Sequence, residues 1–445
     1  RPASPRILPH RPPRVRRGRC LIARRLSRVI EVVGIEDAGW ASVPAREQDL
    51  VCRSRHLVGG ARHLALVPEI EGQIRTPWPT PMRAQLPALF EQIGTEGVVV
   101  LASDDPLRSG VASTLIDLFG RETVRVHPSL SSETLARARM GWPAEETTVV
   151  TLVGRSVDRL RRHLDPRARL VVLCSDGSTP AEVAALLVQE GCGSSRLTAW
   201  WHLGGPKEGS RSGAARDWDV EPTPDLVVLA VEVDDLAAAR SSSGPAPGRP
   251  EEAFEHDGQI TKRDVRASAL AHLRPTPGAT LWDLGAGSGA VAIERALAAR
   301  CARAVARERD PGRAARIRAN AARLGVPREV EVVEADHGAL SPEGASVLDA
   351  LPDPDAVFVG GGLTSELADL AWGRLRPGGR LVAHAVTLSA ESVLVAAHQR
   401  HGGHLTRLSV EHATPLGPHL SWTPARAIVQ WSAQKPAPPH EQGMS

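Results

Sequence analysis

Three glycines and two acidic residues in the C-terminal half have the types and spacing of a cofactor site. Gly285, Gly287 and Gly289 follow a predicted strand and precede a predicted helix, so a ligand can approach bare backbone at the positive end of that helix. Glu308 ends the next predicted strand, nineteen residues after Gly289, where a carboxylate can accept hydrogen bonds from ribose hydroxyls. Asp336 ends the third predicted strand, where it could accept the adenine amino group. These positions predict a nucleoside-containing cofactor at the carboxyl edge of a parallel sheet.

An acidic residue two positions before the first glycine distinguishes between two classes of cofactor. Gly285, Gly287 and Ala290 fit the GxGxxG/A pattern of NAD enzymes. With Asp283 included, the pattern becomes DxGxGxG, which is typical of enzymes that bind S-adenosylmethionine, because the ammonium group of that cofactor needs a nearby anion or carbonyl. We therefore expect S-adenosylmethionine. NAD binding and a glycine turn without a ligand are the alternatives.

The elements that must position these residues are short β-branched segments that alternate with helical segments. This alternation predicts α/β folding with mostly parallel sheets, divided by a linker with the composition SSSGPAPGRP at residues 241–250. The first half contains predicted strands at 28–35, 97–102, 123–126, 148–153, 170–174 and 226–233. The second half contains predicted strands at 280–284, 304–308, 330–334, 356–359 and 380–385. Gly360, Gly361 and Gly362 follow the fourth of these, either facing a substrate or forming a flexible loop.

Composition excludes several classes of protein. Apolar residues make up 42% of the 445 residues and charged residues 24%, which describes a globular protein with more than one core. No apolar run approaches the roughly 20 residues that a membrane helix requires. The five cysteines form no CxxC pair, so neither a disulfide framework nor a metal site is predicted, and a reducing cytoplasm is the expected compartment.

The basic residues are concentrated at the N-terminus. Ten of the 54 lie within residues 1–30, which contain no acid, so residues 31–445 carry 44 basic against 51 acidic side chains. This mildly acidic body argues against an extended nucleic-acid surface. Residues 1–28 are also rich in proline, and we expect a disordered extension there; a basic arm or a targeting peptide is the alternative.

Longer motifs show a resemblance to a known family. The C-terminal half contains FEHDGQITKRDVR at 254–266, LWDLGAGSGAVAIE at 281–294, FVGGGLT at 358–364 and LRPGGRLVAHAVT at 375–387. The N-terminal half contains VVGIEDAGW at 32–40, LVGGARHL at 57–64, ASDDPLRSGVASTL at 102–115, LCSDGSTPAEVAALL at 173–187 and HLGGP at 202–206. Together they resemble the precorrin-6B C5,15-methyltransferases (decarboxylating), two-domain enzymes of cobalamin biosynthesis.

The resemblance implies a fold and an activity for each half. It implies a tetrapyrrole methylase domain at 29–236 that methylates C5, and a Rossmann-like methyltransferase domain at 253–433 that methylates C15 and decarboxylates the C12 acetate, giving precorrin-8. A tail at 1–28, a linker at 237–252 and a flexible tail at 434–445 complete the expected organisation. The implied partners are a small-molecule tetrapyrrole, one S-adenosylmethionine per domain and further copies of the chain as a homo-oligomer, without nucleic acid, membrane or metal.

The resemblance also implies site residues. No catalytic acid or base is predicted, and Lys262 and Arg266 are candidates for binding substrate carboxylates. The expected cofactor-binding residues of the C-terminal domain are Thr261, Asp283, Gly285, Ala286, Gly287, Ser288, Gly289, Glu308, Asp336 and His337. Those of the N-terminal domain are Asp105, Pro106, Leu107 and Gly110.

Among the positions that depart from the family pattern, two are glycines in the family. Asp104 and Glu36 replace glycines in the N-terminal domain, and a Cβ atom hinders both a left-handed backbone and close approach of a cofactor. These replacements motivate one alternative function, in which the N-terminal half is a non-catalytic assembly or delivery module. The other alternative is methylation of a different substrate such as tRNA.

Overall fold

A computed structural model describes residues 29–108, 110–234, 244–335 and 351–437. Within these ranges the chain forms two compact units, one from residues 29–157 and 166–234 and the other from residues 158–165 and the described residues from 244 onward. The expectations for residues 1–28, for Asp336 and His337, and for parts of the linker and the C-terminal tail lie outside the described residues.

The first unit begins with a five-stranded sheet in which every neighbouring pair is parallel. The order is β3-β2-β4-β1-β5, with β1 Ile30–Ile35, β2 His56–Gly59, β3 Ile74–Pro77, β4 Val98–Ser103 and β5 Val124–His127. All six residues of β1 are buried, because apolar clusters cover both faces of the sheet. The helices of the unit are α1 Ala45–Arg53, α2 Ala61–Leu66, α3 Met82–Ile93, α4 Val111–Phe119, α5 Ser132–Met140 and α6 Thr179–Gln189.

The second sheet of this unit is mostly antiparallel, so the prediction of mostly parallel sheets is wrong here. Its order is β6-β7-β10-β8-β9, and only β6 and β7 run parallel. The strands are β6 Thr147–Thr151, β7 Arg169–Leu173, β8 Arg196–Trp201, β9 Gly209–Ala214 and β10 Val227–Glu232. The connection between β8 and β9 is too short for a crossover helix, and such short connections join antiparallel strands.

The second unit is built on a seven-stranded sheet with the order β13-β12-β11-β14-β15-β19-β16. The first five strands are parallel, and β19 is antiparallel to both β15 and β16. The five parallel strands match the sequence-based expectation, because two apolar clusters bury them from either face. They are β11 Thr280–Leu284, β12 Arg303–Glu308, β13 Val330–Glu334, β14 Ala356–Val359 and β15 Arg380–Ala385.

The remaining strands of this unit were not predicted. They are β16 His404–Leu408, β17 Glu411–Leu416, β18 His419–Pro424 and β19 Ile428–Gln434, of which β17 and β18 form a separate hairpin. The helices are α7 Arg263–Leu273, α8 Ala290–Ala298, α9 Pro311–Arg323, α10 Ser365–Arg374 and α11 Leu388–His401. This arrangement brings the ends of β11, β12 and β14 to one carboxyl edge, where parallel α/β sheets bind ligands.

Among the described residues, no helix combines the length and apolar character needed to cross a membrane. Across those ranges, no group of three or more His, Cys, Asp or Glu side chains is arranged to hold a metal ion. The four cysteines within these ranges, at positions 52, 174, 192 and 301, are not joined to one another by disulfide bonds.

Candidate cofactor and substrate sites

The glycine loop, residues 285–289, connects the end of β11 to the start of α8. Its three glycines have φ angles of +74°, +60° and +76°, a backbone region that side chains disfavour. A Cβ atom on Gly285 would lie 2.8 Å from the carbonyl oxygen of Gly361, and one on Gly289 would lie 2.7 Å from the side chain of Ile317. The sequence therefore needs glycine here both for conformation and for space, and the loop stands beside the glycines that follow β14.

A segment that we call the strap, residues 248–262, lies against the glycine loop. A Cβ atom on Gly287 would be 3.1 Å from the carbonyl oxygen of Gln259 in the strap. Buried Asn320 of α9 joins the two: its amide donates to the carbonyls of Glu255 and Ser288, at 3.0 Å each, and its oxygen accepts from the Glu255 amide at 2.8 Å. Asn320 therefore holds the strap and the glycine loop close to each other, with a narrow space between Gly287 and Gln259.

Arg266, predicted to bind a substrate carboxylate, lies in the interior instead. Its Nε donates to Oε1 of Glu294 at 2.9 Å, and both side chains are 0% exposed. The same guanidinium donates to the carbonyls of Thr261 and Arg249 and lies 5.0 Å from the ring centre of Phe254. The prediction for Arg266 is wrong, because a buried guanidinium already paired with a carboxylate is a structural cation that anchors the strap.

Glu294 completes this anchor from α8. Its carboxylate accepts the backbone amides of Gly248 at 2.7 Å and Arg249 at 2.9 Å, in addition to the bond from Arg266. Asp257, farther along the strap, accepts from Arg313 and Arg316 of α9 at 2.9 and 3.0 Å. Hydrogen bonding to Arg313 holds the pKa of Asp257 below its usual range.

Two carboxylates lie next to the glycine loop. The Glu308 side chain accepts the amide of Gly287 at 2.8 Å and those of Arg309 and Asp310 at 3.1 Å, so its position at the end of β12 is fixed. Asp283 is buried, and its Oδ2 accepts the Ala292 amide at 3.1 Å while Oδ1 has no partner among the described residues. Burial raises the pKa of Asp283 to about 7, an effect that the amide bond opposes and nearby Glu308 reinforces.

The other predicted residues of this half occupy the same neighbourhood. The Ser288 hydroxyl is buried without a partner among the described residues, and Ala286 donates its amide to the Arg307 carbonyl at 3.0 Å. Thr261 is half-buried in the strap, and Lys262 is exposed directly before α7. The structure thus places Asp283, Glu308 and the strap beside the glycine loop, whereas Arg266 lies in the interior.

The first unit contains a cleft of about 380 Å³ between its two sheets. A hydrogen-bonded network lines it. Asp37, which follows β1, accepts from Arg62 at 3.1 Å and pairs with Nδ1 of His202 at 2.9 Å. Nε2 of His63 lies 2.9 Å from both the Arg62 guanidinium and the Ser103 hydroxyl. Because a guanidinium only donates, this nitrogen accepts and the His63 ring is neutral. Burial, and then the charge of Arg62, lower the pKa of His63 to about 4.

The loop after β4 carries the predicted residues of this half, of which Asp105 and Gly110 line the cleft. Oδ1 of Asp105 accepts the amide of Leu107 at 2.9 Å, which shapes the loop. A Cβ atom on Gly110 would lie 2.4 Å from the carbonyl oxygen of Pro106, so the loop closes tightly at that glycine. Pro106 is buried, whereas Leu107 is 53% exposed.

The two replaced glycines are accommodated in different ways. Asp104 adopts the left-handed backbone, with φ +43°, which Asp tolerates better than most residues. Its carboxylate accepts the Ser132 amide at the start of α5, at 3.2 Å, and burial raises its pKa to about 6. Glu36 accepts from the Ser129 hydroxyl and from the Leu130 amide. Both side chains are therefore held by hydrogen bonds.

Several site residues were not identified from the sequence. Arg62, His63 and His202 lie in the quoted motifs LVGGARHL and HLGGP, which carried no assigned role. Glu294 and Asn320 gave no local signal, because their partners are 28 and 65 residues away in the chain.

The glycine loop with its neighbouring acids, and the separate cleft between two sheets, define a two-domain methyltransferase. Residues 252–435 match the family described as precorrin methyltransferase domain, and residues 31–214 match the tetrapyrrole (corrin/porphyrin) methylases. The chain is 40% identical over 408 residues to a Sinorhizobium protein named precorrin-6Y C(5,15)-methyltransferase [decarboxylating], covering 91% of this chain and 96% of that protein. A Mycobacterium tuberculosis protein of the same name is 39% identical over 411 residues, covering 92% and 100%.

The chain belongs to the precorrin-6Y C(5,15)-methyltransferase (decarboxylating) family. It is therefore a methyltransferase, and the family uses S-adenosylmethionine. The predicted family resemblance and fold class are confirmed. Among solved structures, the C-terminal domain of the Rhodobacter capsulatus precorrin-6Y C5,15-methyltransferase is 43% identical, with a TM-score of 0.40, covering 43% of this chain and all of that one.

Proposed function

We propose that the chain methylates a precorrin-6 macrocycle at C5 and C15 and releases CO2 from it, with one S-adenosylmethionine bound in each unit. The names of the relatives specify precorrin-6Y, and we expect this chain to act on the same substrate. The observation that carries the proposal is the presence of two separate built sites, each within a region that matches a methylase family.

In the second unit the residues fit S-adenosylmethionine, whose sulfonium supplies an already activated methyl group. Glu308 stands where a carboxylate accepts ribose hydroxyls, and its fixed position at the strand end preorganises that contact. Oδ1 of Asp283, buried without a partner among the described residues, offers an acceptor for the cofactor's ammonium group. The strap lies against the glycine loop at the Gln259 carbonyl, and we expect it to exclude water from the reacting atoms.

In the first unit the volume of the cleft is in the range of small-molecule binding sites. Its polar wall contains Arg62 and His202, both held by Asp37 and therefore fixed in orientation. Such fixed donors suit the peripheral carboxylates of a tetrapyrrole. We assign C5 methylation to this cleft. In the second unit, exposed Lys262, the last residue of the strap, remains our candidate for binding a substrate carboxylate.

The chemistry requires alignment more than acid–base groups. A macrocycle carbon is an electron-rich nucleophile, and holding it in line with the sulfonium in a dry pocket supplies much of the rate enhancement. The conjugated ring accepts the electron pair that decarboxylation leaves behind, so the reaction needs no further cofactor from the protein.

The test uses the full chain with precorrin-6Y and methyl-labelled S-adenosylmethionine, with products followed by mass. We expect the wild type to add two methyl groups and to lose one CO2. Gly287→Val, which places a branched side chain against Gln259, should abolish C15 methylation and decarboxylation. It should keep C5 methylation of a C15-methylated, decarboxylated intermediate. Gly110→Val should abolish C5 methylation and keep C15 methylation and decarboxylation.

Gly373→Ala is the matched control, because a Cβ atom at Gly373 meets no atom within 4 Å. This variant should retain both methylations. Loss of C5 methylation with retained decarboxylation in Gly287→Val would show that the two reactions are assigned to the wrong units. Absence of any methyl transfer by the folded wild type would refute the proposed function itself.

A further inference from the structure

A second cavity, of about 670 Å³, opens at the amino edge of the seven-stranded sheet, next to the starts of β11 and β15. The glycine loop is at the opposite edge. Because β11 has five residues, the two edges are separated by roughly 17 Å at about 3.3 Å per residue. This cavity is therefore not part of the methyl-transfer site. Four arginines line it, together with a single carboxylate: Arg274, Arg295, Arg376, Arg380 and Asp355.

Arg295 is the most buried of the four arginines that line this cavity. Its side chain projects from α8 and the residue is 1% exposed. Nη1 donates to the Ala279 carbonyl at 3.3 Å, and Nε has no partner among the described residues. Burial lowers the pKa of Arg295 to about 10, although Asp355 opposes the shift, so the group stays charged near neutral pH. A buried guanidinium with unmet hydrogen-bonding capacity is costly unless an anion satisfies it.

The carboxylate in the cavity does not meet this requirement. Oδ1 of Asp355 accepts from Arg376 at 3.0 Å, and Oδ2 accepts the Thr280 amide at 2.8 Å. Arg380 donates to Gln434 at 3.1 Å, and burial and the neighbouring charge of Arg274 lower its pKa. Four arginines thus line a cavity whose one carboxylate already accepts hydrogen bonds from Arg376 and the Thr280 amide.

We propose that this cavity binds a dianionic oxyanion of the phosphate class. Guanidinium groups donate paired hydrogen bonds that match the oxygens of phosphate, and a phosphate dianion offsets most of the excess positive charge. The ligand would bridge Arg295, which is buried, and Arg274 and Arg380 at the mouth of the cavity. It would be a ligand additional to the cofactor and the macrocycle.

The experiment titrates the full chain with inorganic phosphate by calorimetry, at ionic strength held constant with chloride. We expect one saturable site. Arg380→Gln and Arg274→Gln should each weaken phosphate binding about tenfold or more, because each removes a charged donor from the cavity. The matched control is Arg303→Gln, since Arg303 begins the neighbouring strand β12 at the same sheet edge without lining the cavity. It should change the affinity less than twofold.

Three outcomes would overturn the proposal. The first is no saturable binding by the wild type. The second is equal weakening by Arg303→Gln, which would indicate an adventitious ion only. The third is saturable binding of succinate, a dicarboxylate of the same charge, without binding of phosphate. Arg295→Met is a further variant, and its thermal unfolding, measured in parallel, distinguishes loss of the site from loss of folding. Arg274→Gln changes an exposed residue and does not depend on that check.

Discussion

Replacing Arg266 with methionine should destabilise the second unit strongly. The pair of Arg266 and Glu294 is 0% exposed on both sides, and breaking such a pair from one side costs about 3–5 kcal/mol because the remaining charge stays buried. Two amides of the strap still donate to Glu294 in the variant, which places the expected cost toward the lower end of that range. The strap also loses the donors to Thr261 and Arg249.

The assay is hydrogen exchange on the full chain, read by mass on peptides from β11 and β12. These strands belong to the second unit, so their opening free energy reports on that unit alone. A loss of 3–5 kcal/mol lowers amide protection roughly a hundredfold to several thousandfold. The strap should lose protection first, and S-adenosylmethionine affinity should fall with it.

A matched control is available within the same unit. Arg318 and Glu334 form an ion pair at 2.7 Å, shorter than the buried pair, but their side chains are 51% and 43% exposed. Arg318→Met should therefore cost less than about 1 kcal/mol. If Arg266→Met and Arg318→Met reduce protection equally, the reasoning from burial is refuted. A double variant in which Glu294 is also replaced by methionine should recover part of the loss.

Further predictions concern the neighbouring residues. Glu308→Gln should weaken S-adenosylmethionine binding in the second unit about ten- to a hundredfold, measured by calorimetry as loss of one of two sites; two unchanged sites would contradict it. The raised pKa of Asp283 means that the folded state binds a proton more tightly than the unfolded state, so stability without cofactor should fall as pH rises from about 4 to about 7. Thermal midpoints of Asp283→Asn should lack this fall, and parallel wild-type and variant curves would argue against it. Gly289→Ala should destabilise by roughly 1–2 kcal/mol or more, because it combines a left-handed backbone with a clash against Ile317, whereas Gly373→Ala should not destabilise in the same urea titration.

The sequence predicted the parallel strands of the second unit because they are buried on both faces and read as short apolar runs. It also predicted the glycine loop, because the chemistry there depends on residues only a few positions apart. The second sheet of the first unit was mispredicted in part because β9, with the sequence GSRSGA, has no β-branched residue and forms only by pairing with β8.

The error at Arg266 has a different origin. In α7, Arg266 shares a face with buried Ala269, Leu270 and Leu273, at the spacing of an apolar helix stripe. That periodicity places Arg266 inside the protein and was readable from the sequence. The identity of its partner was not, because Glu294 lies on another helix and only the folded chain brings them together. Asn320 escaped prediction for the same reason.

The strap also determines where the chain can be divided for engineering. Its first two residues, Gly248 and Arg249, precede the first helix of the second unit by more than a dozen positions, yet their amides donate to Glu294. A fragment that starts at residue 253 would leave that carboxylate with Arg266 alone and would free the N-terminal end of the strap. A fragment that starts at residue 244 keeps the hydrogen bonds that Gly248, Arg249 and Arg266 donate to Glu294. Chimeras that exchange this half between relatives should therefore place the splice site upstream of Gly248.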